Sequence, residues 1–369
     1  MRGYMKSSTN PSSSGLFVRG VALLLLGGVF LAGCNGGGDS GATASKTPGA
    51  TTEPSASGST EALQGAGSTL INPIMLQWIE DYKKQGGIDI SYQSIGSGGG
   101  IKNLTNKTVS FAGSDVPMND SETKNAKDPV LHFPAVIGAA AIAYNVDGVT
   151  SGLKLSGPVL ADIFMLKITK WNDPKIVALN PGVKLPDADI TVVHRSDGSG
   201  TTYIFSDFLS KVSPDWKAKL GTNKSIEWPG GLGAKGSEGV AGLLSQHKNS
   251  IAYLELAYAV SNKIPYASIQ NSSGAFVDPT SDSASAAADG VTIPDDMKVS
   301  IVNSPNPKGY PITGFSYIIV YQTSPRGADL SKFLKYALTD GQSLCKGLSY
   351  GPVPDSVTKR ELAMLDSVK

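Results

Sequence analysis

The spacing of apolar residues changes period every few tens of residues, and this predicts helices alternating with strands. Ile74, Leu76, Trp78, Ile79 and Tyr82 read as one apolar helical face, stopped by Gly86-Gly87. Ile88, Ile90 and Tyr92 alternate as a short strand. The stretch 136–146 is almost continuously apolar, as expected of a strand covered on both faces. A strand over 190–194 runs into a Gly-rich turn and then a helix bearing Ile204, Phe208 and Leu209. A further strand is predicted over 314–321 and a helix over 330–338. This alternation implies α/β units and a largely parallel sheet. Residues 273–290, rich in Ser, Ala, Asp and Gly, are expected to form a surface excursion rather than a domain boundary.

The first 62 residues follow a different pattern. Arg2, Lys6 and Arg19 precede an apolar run over 21–31, too short to span a bilayer and of the length of a secretory h-region. Leu31-Ala32-Gly33-Cys34 follows, with small side chains before the cysteine. The stretch resembles the lipobox of bacterial lipoproteins, which implies a signal peptide over 1–34 and acylation of Cys34. Acyl chains there would hold the protein at a membrane face. Residues 35–62, dominated by Gly, Ser, Thr, Ala and Pro, bury too little apolar surface to offset their ordering entropy; they read as a flexible tether. The folded body is expected to start near Leu63.

Composition narrows the function classes. A chain of 369 residues suits two domains, and 40% hydrophobic with 17% charged residues fits a globular body. A formal net charge of +1 argues against nucleic-acid binding. Loss of the leader removes three positive charges and no acidic ones, leaving −2. A mature chain without positive surplus must bind any anion by local geometry. His132, His194 and His247 show no ligand spacing, so neither a metal nor another cofactor is expected. Cys345 reads as a buried structural thiol.

The candidate chemistry lies in short Gly-rich stretches, each ahead of a predicted helix. They are Gly65-Ala66-Gly67-Ser68-Thr69-Leu70, Ile95-Gly96-Ser97-Gly98-Gly99-Gly100, and Arg195-Ser196-Asp197-Gly198-Ser199-Gly200-Thr201. Helix N-termini offer unpaired N–H groups and partial positive charge, and Ser and Thr add hydroxyl donors. Several such ends aimed at one point would make an anion site. Arg195 supplies a full charge and a fork for two oxygens, and Asp197, two residues on, can fix its orientation. Neither Gly-rich loop has P-loop spacing, and Leu70 stands where a dinucleotide fingerprint needs glycine. A fourth stretch, Phe111-Ala112-Gly113-Ser114-Asp115, ends in a carboxylate.

These four elements, in this order, resemble the periplasmic phosphate-binding protein of the high-affinity ABC phosphate importer. The likeness runs from about Gly65 to about Ser356 and includes Lys167-Ile168-Thr169-Lys170-Trp171-Asn172-Asp173 and Gly231-Leu232-Gly233-Ala234-Lys235-Gly236. It implies a type II-like periplasmic-binding-protein fold of two lobes, 63–136 plus 312–369 and 137–311, joined by crossing strands, with the ligand in the interlobe cleft. It implies that inorganic phosphate is held by Thr69, Leu70, Ser97, Asp115, Arg195, Ser199, Gly200 and Thr201, with Asp197 orienting Arg195. It also implies a non-enzymatic, monomeric carrier outside the cytoplasmic membrane, in the periplasm or on the outer face, whose partner is the permease's transmembrane subunits. Two positions depart from the family pattern. Leu70 replaces a common aromatic residue, and Gly98 replaces a frequent serine, which predicts a looser loop and slightly lower affinity. Rival readings are a binder of sulfate, molybdate or tungstate, a hydrolase with Ser199 as nucleophile, and a structural lipoprotein. Asp115 opposes the first. The second lacks a G-x-S-x-G elbow, since Asp197 stands where it needs glycine.

Overall fold

The computed structural model describes residues 62–369. The expected leader, Cys34, and all but the last residue of the expected tether lie outside the described residues. Among the described residues the strands are β1 (Leu63–Gly67), β2 (Ile90–Ser94), β3 (Phe111–Ser114), β4 (Val130–Asn145), β5 (Lys154–Leu155), β6 (Thr191–Arg195), β7 (Leu232–Ala234), β8 (Ser250–Glu255), β9 (Ser268–Gln270), β10 (Phe276–Val277) and β11 (Thr313–Tyr321). Eight of them form one sheet in the order β2-β1-β3-β11-β4-β8-β6-β7, and β10-β9-β5 form a small second one.

The long strand β4 organises the large sheet. Its residues 130–139 pair with β11, and its residues 140–145 pair with β8. One strand therefore belongs to two sheet halves. Residues 132–144 are buried without interruption, which is why the sequence shows no alternation there. On one side β1 pairs parallel with β2 and β3, and on the other β6 pairs parallel with β7 and β8. The central contacts β3–β11, β11–β4 and β4–β8 are antiparallel. The sheet is thus mixed, a correction to the largely parallel sheet expected from the element order. The alternation of helix and strand does not reveal that β4 runs through both halves with antiparallel partners on each. The loops after β1, β2, β3 and β6 all leave the C-terminal ends of their strands, where open α/β sheets bind ligands.

Two helices differ from the sequence reading. In Asn72–Lys84 the buried residues are Ile74, Met75 and Trp78, while Leu76 is half exposed. At about 100° per residue, Leu76 points away from the Ile74–Trp78 side. The stretch 273–290 is no mere surface excursion. It holds β10 and a helix, Ser281–Ala288, started by a Thr280/Ser283 capping box. Ala284, Ala287 and Ala288 are buried there, because alanines at helical spacing let a backbone approach closely. No described helix is long and apolar enough to cross a membrane. Cys345 is buried, and burial pushes its thiol up to about 12.

Candidate functional site

Asp115 is the centre of the site. It leaves the end of β3 and is 4% exposed. Ser68 Oγ donates to its Oδ1 at 2.5 Å and Ser316 Oγ to the same oxygen at 2.7 Å. Ser97 Oγ reaches Oδ2 at 3.3 Å. Other contacts fix the direction of two of these bonds. Ser68 Oγ accepts the amides of Leu70 and Ile71, and Ser97 Oγ accepts those of Asp115 and Gly200. Each hydroxyl proton is then left for the carboxylate. Burial pushes the Asp115 carboxyl above its ordinary range, while the Ser68, Ser316 and Ser97 hydroxyls and the Arg195 charge pull it back. A carboxylate has about four acceptor positions, so one remains, on Oδ2. A Cβ added to Gly200 would stand 2.5 Å from Oδ2 and 2.5 Å from Ser97 Oγ, so the start of the helix after β6 packs directly against the carboxylate.

That loop carries the charge. Arg195, the last residue of β6, is 4% exposed. It grips Asp197 with two bonds, Nε to Oδ1 at 2.7 Å and Nη2 to Oδ2 at 2.5 Å. Its Nη1 donates to Thr69 Oγ1 at 3.1 Å. Burial raises the Asp197 carboxyl, but the bidentate Arg195 contact outweighs it and leaves the group below its ordinary range. The guanidinium is therefore fixed in plane by its own carboxylate, as expected from their spacing. Arg195 N also donates to Tyr253 Oη at 3.1 Å. Ser199 caps the helix Gly200–Val212 by accepting Thr202 N. Thr201 is 1% exposed, and its hydroxyl is buried without a hydrogen-bond partner. This leaves a buried hydroxyl donor in the first turn of that helix with nothing in the chain to receive it.

The predicted residues thus converge, with two qualifications. Thr69, Arg195 and Asp197 form one hydrogen-bonded group, and Ser97, Asp115 and Gly200 form a second. The amide of Leu70 is already held by Ser68 Oγ at 3.0 Å. Its side chain points into the core, where a Cβ on Gly138 would stand 2.5 Å from it. The amide of Ser199 is likewise taken, by Lys224 O at 2.9 Å. Gly98 lies against Gly198 with an N–H···O bond of 2.9 Å, and a Cβ on Gly98 would come within 3.2 Å of Gly198 Cα. The glycine permits this close approach between the two loops.

Several participants were not singled out from sequence. Ser316 sits in β11 as a hydroxyl inside an apolar strand, and that interruption is its only signal. Ser68 is hidden in a motif whose neighbour Thr69 drew the assignment. Ser237 opens the helix Gly236–Gln246, shares a hydrogen bond of 3.0 Å with Thr69 Oγ1, and donates its amide to the same oxygen at 3.2 Å. Asp197 Oδ1 also accepts Gly236 N at 3.2 Å. His194 is not turned towards Ser199 chemistry. It stacks on Trp228 with ring centroids 4.9 Å apart, and its Nδ1 lies 3.1 Å from Arg195 O.

The chain matches the model of the PBP superfamily domain over residues 43–340. It is 41% identical over 346 residues to the phosphate-binding protein PstS of Xylella fastidiosa, covering 92% of this chain and 94% of that one. It is 43% identical over 301 residues to the phosphate-binding protein PstS of Haemophilus influenzae, covering 80% and 90% of the two chains. A high-affinity periplasmic phosphate-binding protein solved with phosphate has the same fold, at a TM-score of 0.68, 21% identity, and coverage of 82% of this chain and 93% of that one. So does the phosphate-binding protein of Stenotrophomonas maltophilia, at a TM-score of 0.66, 18% identity, and the same coverage of 82% and 93%. The likeness to these structures and the mixed sheet show an α/β, two-lobed periplasmic-binding-protein fold. The chain belongs to the PstS family of phosphate-binding proteins, within the PBP superfamily.

Proposed function

We propose that the chain captures inorganic phosphate between two lobes, 63–136 plus 312–369 and 137–311, and delivers it to an ABC-type phosphate permease. The relatives' names support the ligand. Arg195 and Thr201 hold donors for the anion, Thr69, Ser97 and Gly200 would turn to it the donors that now serve one another, Ser237 and Asp115, and Ser199 holds the helix that presents two of them. The observation that carries the reading is Asp115, a buried carboxylate whose Oδ2 takes one hydrogen bond where it can accept two. Phosphate at neutral pH still bears a proton for that position. Sulfate bears none, so its lone pairs would meet a buried carboxylate with nothing between them, a cost of several kcal/mol. Specificity would then arise by rejection.

The reading is of a carrier rather than a catalyst. Ser199 Oγ is occupied as a helix cap, and His194 is held in a stack. No metal or cofactor is needed for capture by donors and one guanidinium. The protein would act as a monomer outside the cytoplasmic membrane, in the periplasm or on the outer face, anchored through lipid on Cys34. Trp228 stacks on Tyr253, whose hydroxyl accepts Arg195 N, so it is placed to report ligand binding. A titration of wild-type protein with phosphate, sulfate and molybdate, read by tryptophan fluorescence, tests the reading. Saturable change with phosphate alone is expected. Equal responses to sulfate or molybdate would replace it with a general oxyanion binder.

A further inference from the structure

A contact outside the anion cage joins the two halves of the molecule. Glu122 belongs to the short helix Asp120–Ala126, which follows Asp115 in the chain. It completes a capping box: Glu122 Oε2 accepts Asn119 N at 3.0 Å, and Asn119 Oδ1 accepts Glu122 N at 2.9 Å. The other oxygen, Oε1, receives Lys224 Nζ. Lys224 lies before β7, in the other half. Its carbonyl accepts Ser199 N at 2.9 Å, and its neighbour Asn223 is tied to Ser206 by two bonds of 3.2 Å. Both ends of the pair are thus held by structures that build the cage: the segment after Asp115 and the loop before the helix Gly200–Val212.

Burial separates this pair from the other lysine pairs among the described residues. The Lys224 and Glu122 side chains are 15% and 23% exposed, whereas Lys107–Asp128 and Lys248–Asp147 are more than half exposed on both sides. Among the described residues no other lysine pair has both partners below a quarter exposed. Exposed pairs contribute little, because water screens them and holding two long side chains costs entropy. Here the carboxylate is already fixed by its cap and the charges are partly desolvated, so less is lost on pairing and more is gained.

We propose that Lys224 and Glu122 form a positioning latch that holds the two lobes closed over the bound anion and so sets how slowly it leaves. The inference rests on the phosphate reading and its two lobes. When the lobes part, both groups return to water, so the pair stabilises the closed state alone. A contact made only in the closed state raises apparent affinity by shifting that equilibrium. Its loss appears mainly in the dissociation rate.

The test is phosphate dissociation by stopped-flow fluorescence for wild type, Lys224→Met, Glu122→Gln and the double variant. Gln keeps an acceptor for Asn119 N, so the helix cap survives. The rate is read only from molecules that hold the anion, so partial unfolding does not mimic the effect. Each single variant is expected to release phosphate about tenfold faster, and the double variant no faster than either, because the residues act as a pair. Single-variant rates within about twofold of wild type, or a hundredfold acceleration in the double variant, would overturn the latch. Wild-type protein that holds no phosphate would overturn the reading beneath it, and the latch with it.

Discussion

Two of the candidate site residues, Asp115 and Arg195, are held in place by neighbouring side chains. Ser68 spends its proton on Asp115 and its lone pairs on two amides. Asp197 holds Arg195 flat, leaving Nη1 to Thr69 and the cleft. Removing Arg195 takes away a charge-assisted fork and strands a half-buried carboxylate. Arg195→Ala is therefore expected to weaken phosphate binding by at least about 2 kcal/mol, measured by calorimetry. Unchanged affinity would remove the guanidinium from the site. The Leu70 departure reads differently at this scale. Its side chain packs under the loop against Gly138, so its size tunes the backing of the site rather than the contact with ligand. Gly98 lets its loop lie against Gly198, and a serine there would press on that contact.

At the scale of elements, the sequence displayed what local chemistry determines. Gly-rich turns mark the helix N-termini, although the amides of Leu70, Ser199 and Gly200 are taken within the chain, and Arg195-Ser196-Asp197 marks a fork with its own brace. Strands β6 and β11 fall close to where apolar runs predict them. What stayed hidden depends on residues far apart in the chain. Ser316 lies 201 residues from Asp115 and meets it only because β11 crosses beside β3. Ser237 lies 168 residues from Thr69 and reaches it across the cleft. The antiparallel centre of the sheet was illegible for the same reason, since strand direction is set by long connections. The helix Ser281–Ala288 was missed because alanine and serine carry a weak hydrophobic signal, although Thr280 and Ser283 spell a cap.

Across the whole molecule, burial of titratable groups makes stability depend on pH. His132 Nε2 accepts Met118 N at 3.1 Å, and the ring meets Tyr317 edge-on. Burial, helped by Lys298, lowers its pKa to about 3. A histidine depressed in the folded state binds fewer protons there than when unfolded. The stability it preserves is present above its unfolded value of about 6.5 and is lost as pH falls towards the folded one. Glu255 and Glu361, both raised by burial, act in the opposite direction as pH rises. His132→Gln keeps an acceptor for Met118 N and has nothing to titrate. Urea denaturation at several pH values should show wild type losing up to about 1.4 kcal/mol per pH unit relative to the variant below pH 6.5. Parallel curves would mean that His132 charges freely in the fold.

In the proposed reading, Asp115 selects its ligand by demanding a proton. Calorimetry of wild type and Asp115→Asn, each titrated with phosphate and then with sulfate, tests it directly. Wild type should bind phosphate and give no saturable heat with sulfate. The amide can donate as well as accept, so the variant should take up sulfate and lose its discrimination. A variant that binds phosphate and still rejects sulfate as wild type does would contradict the account.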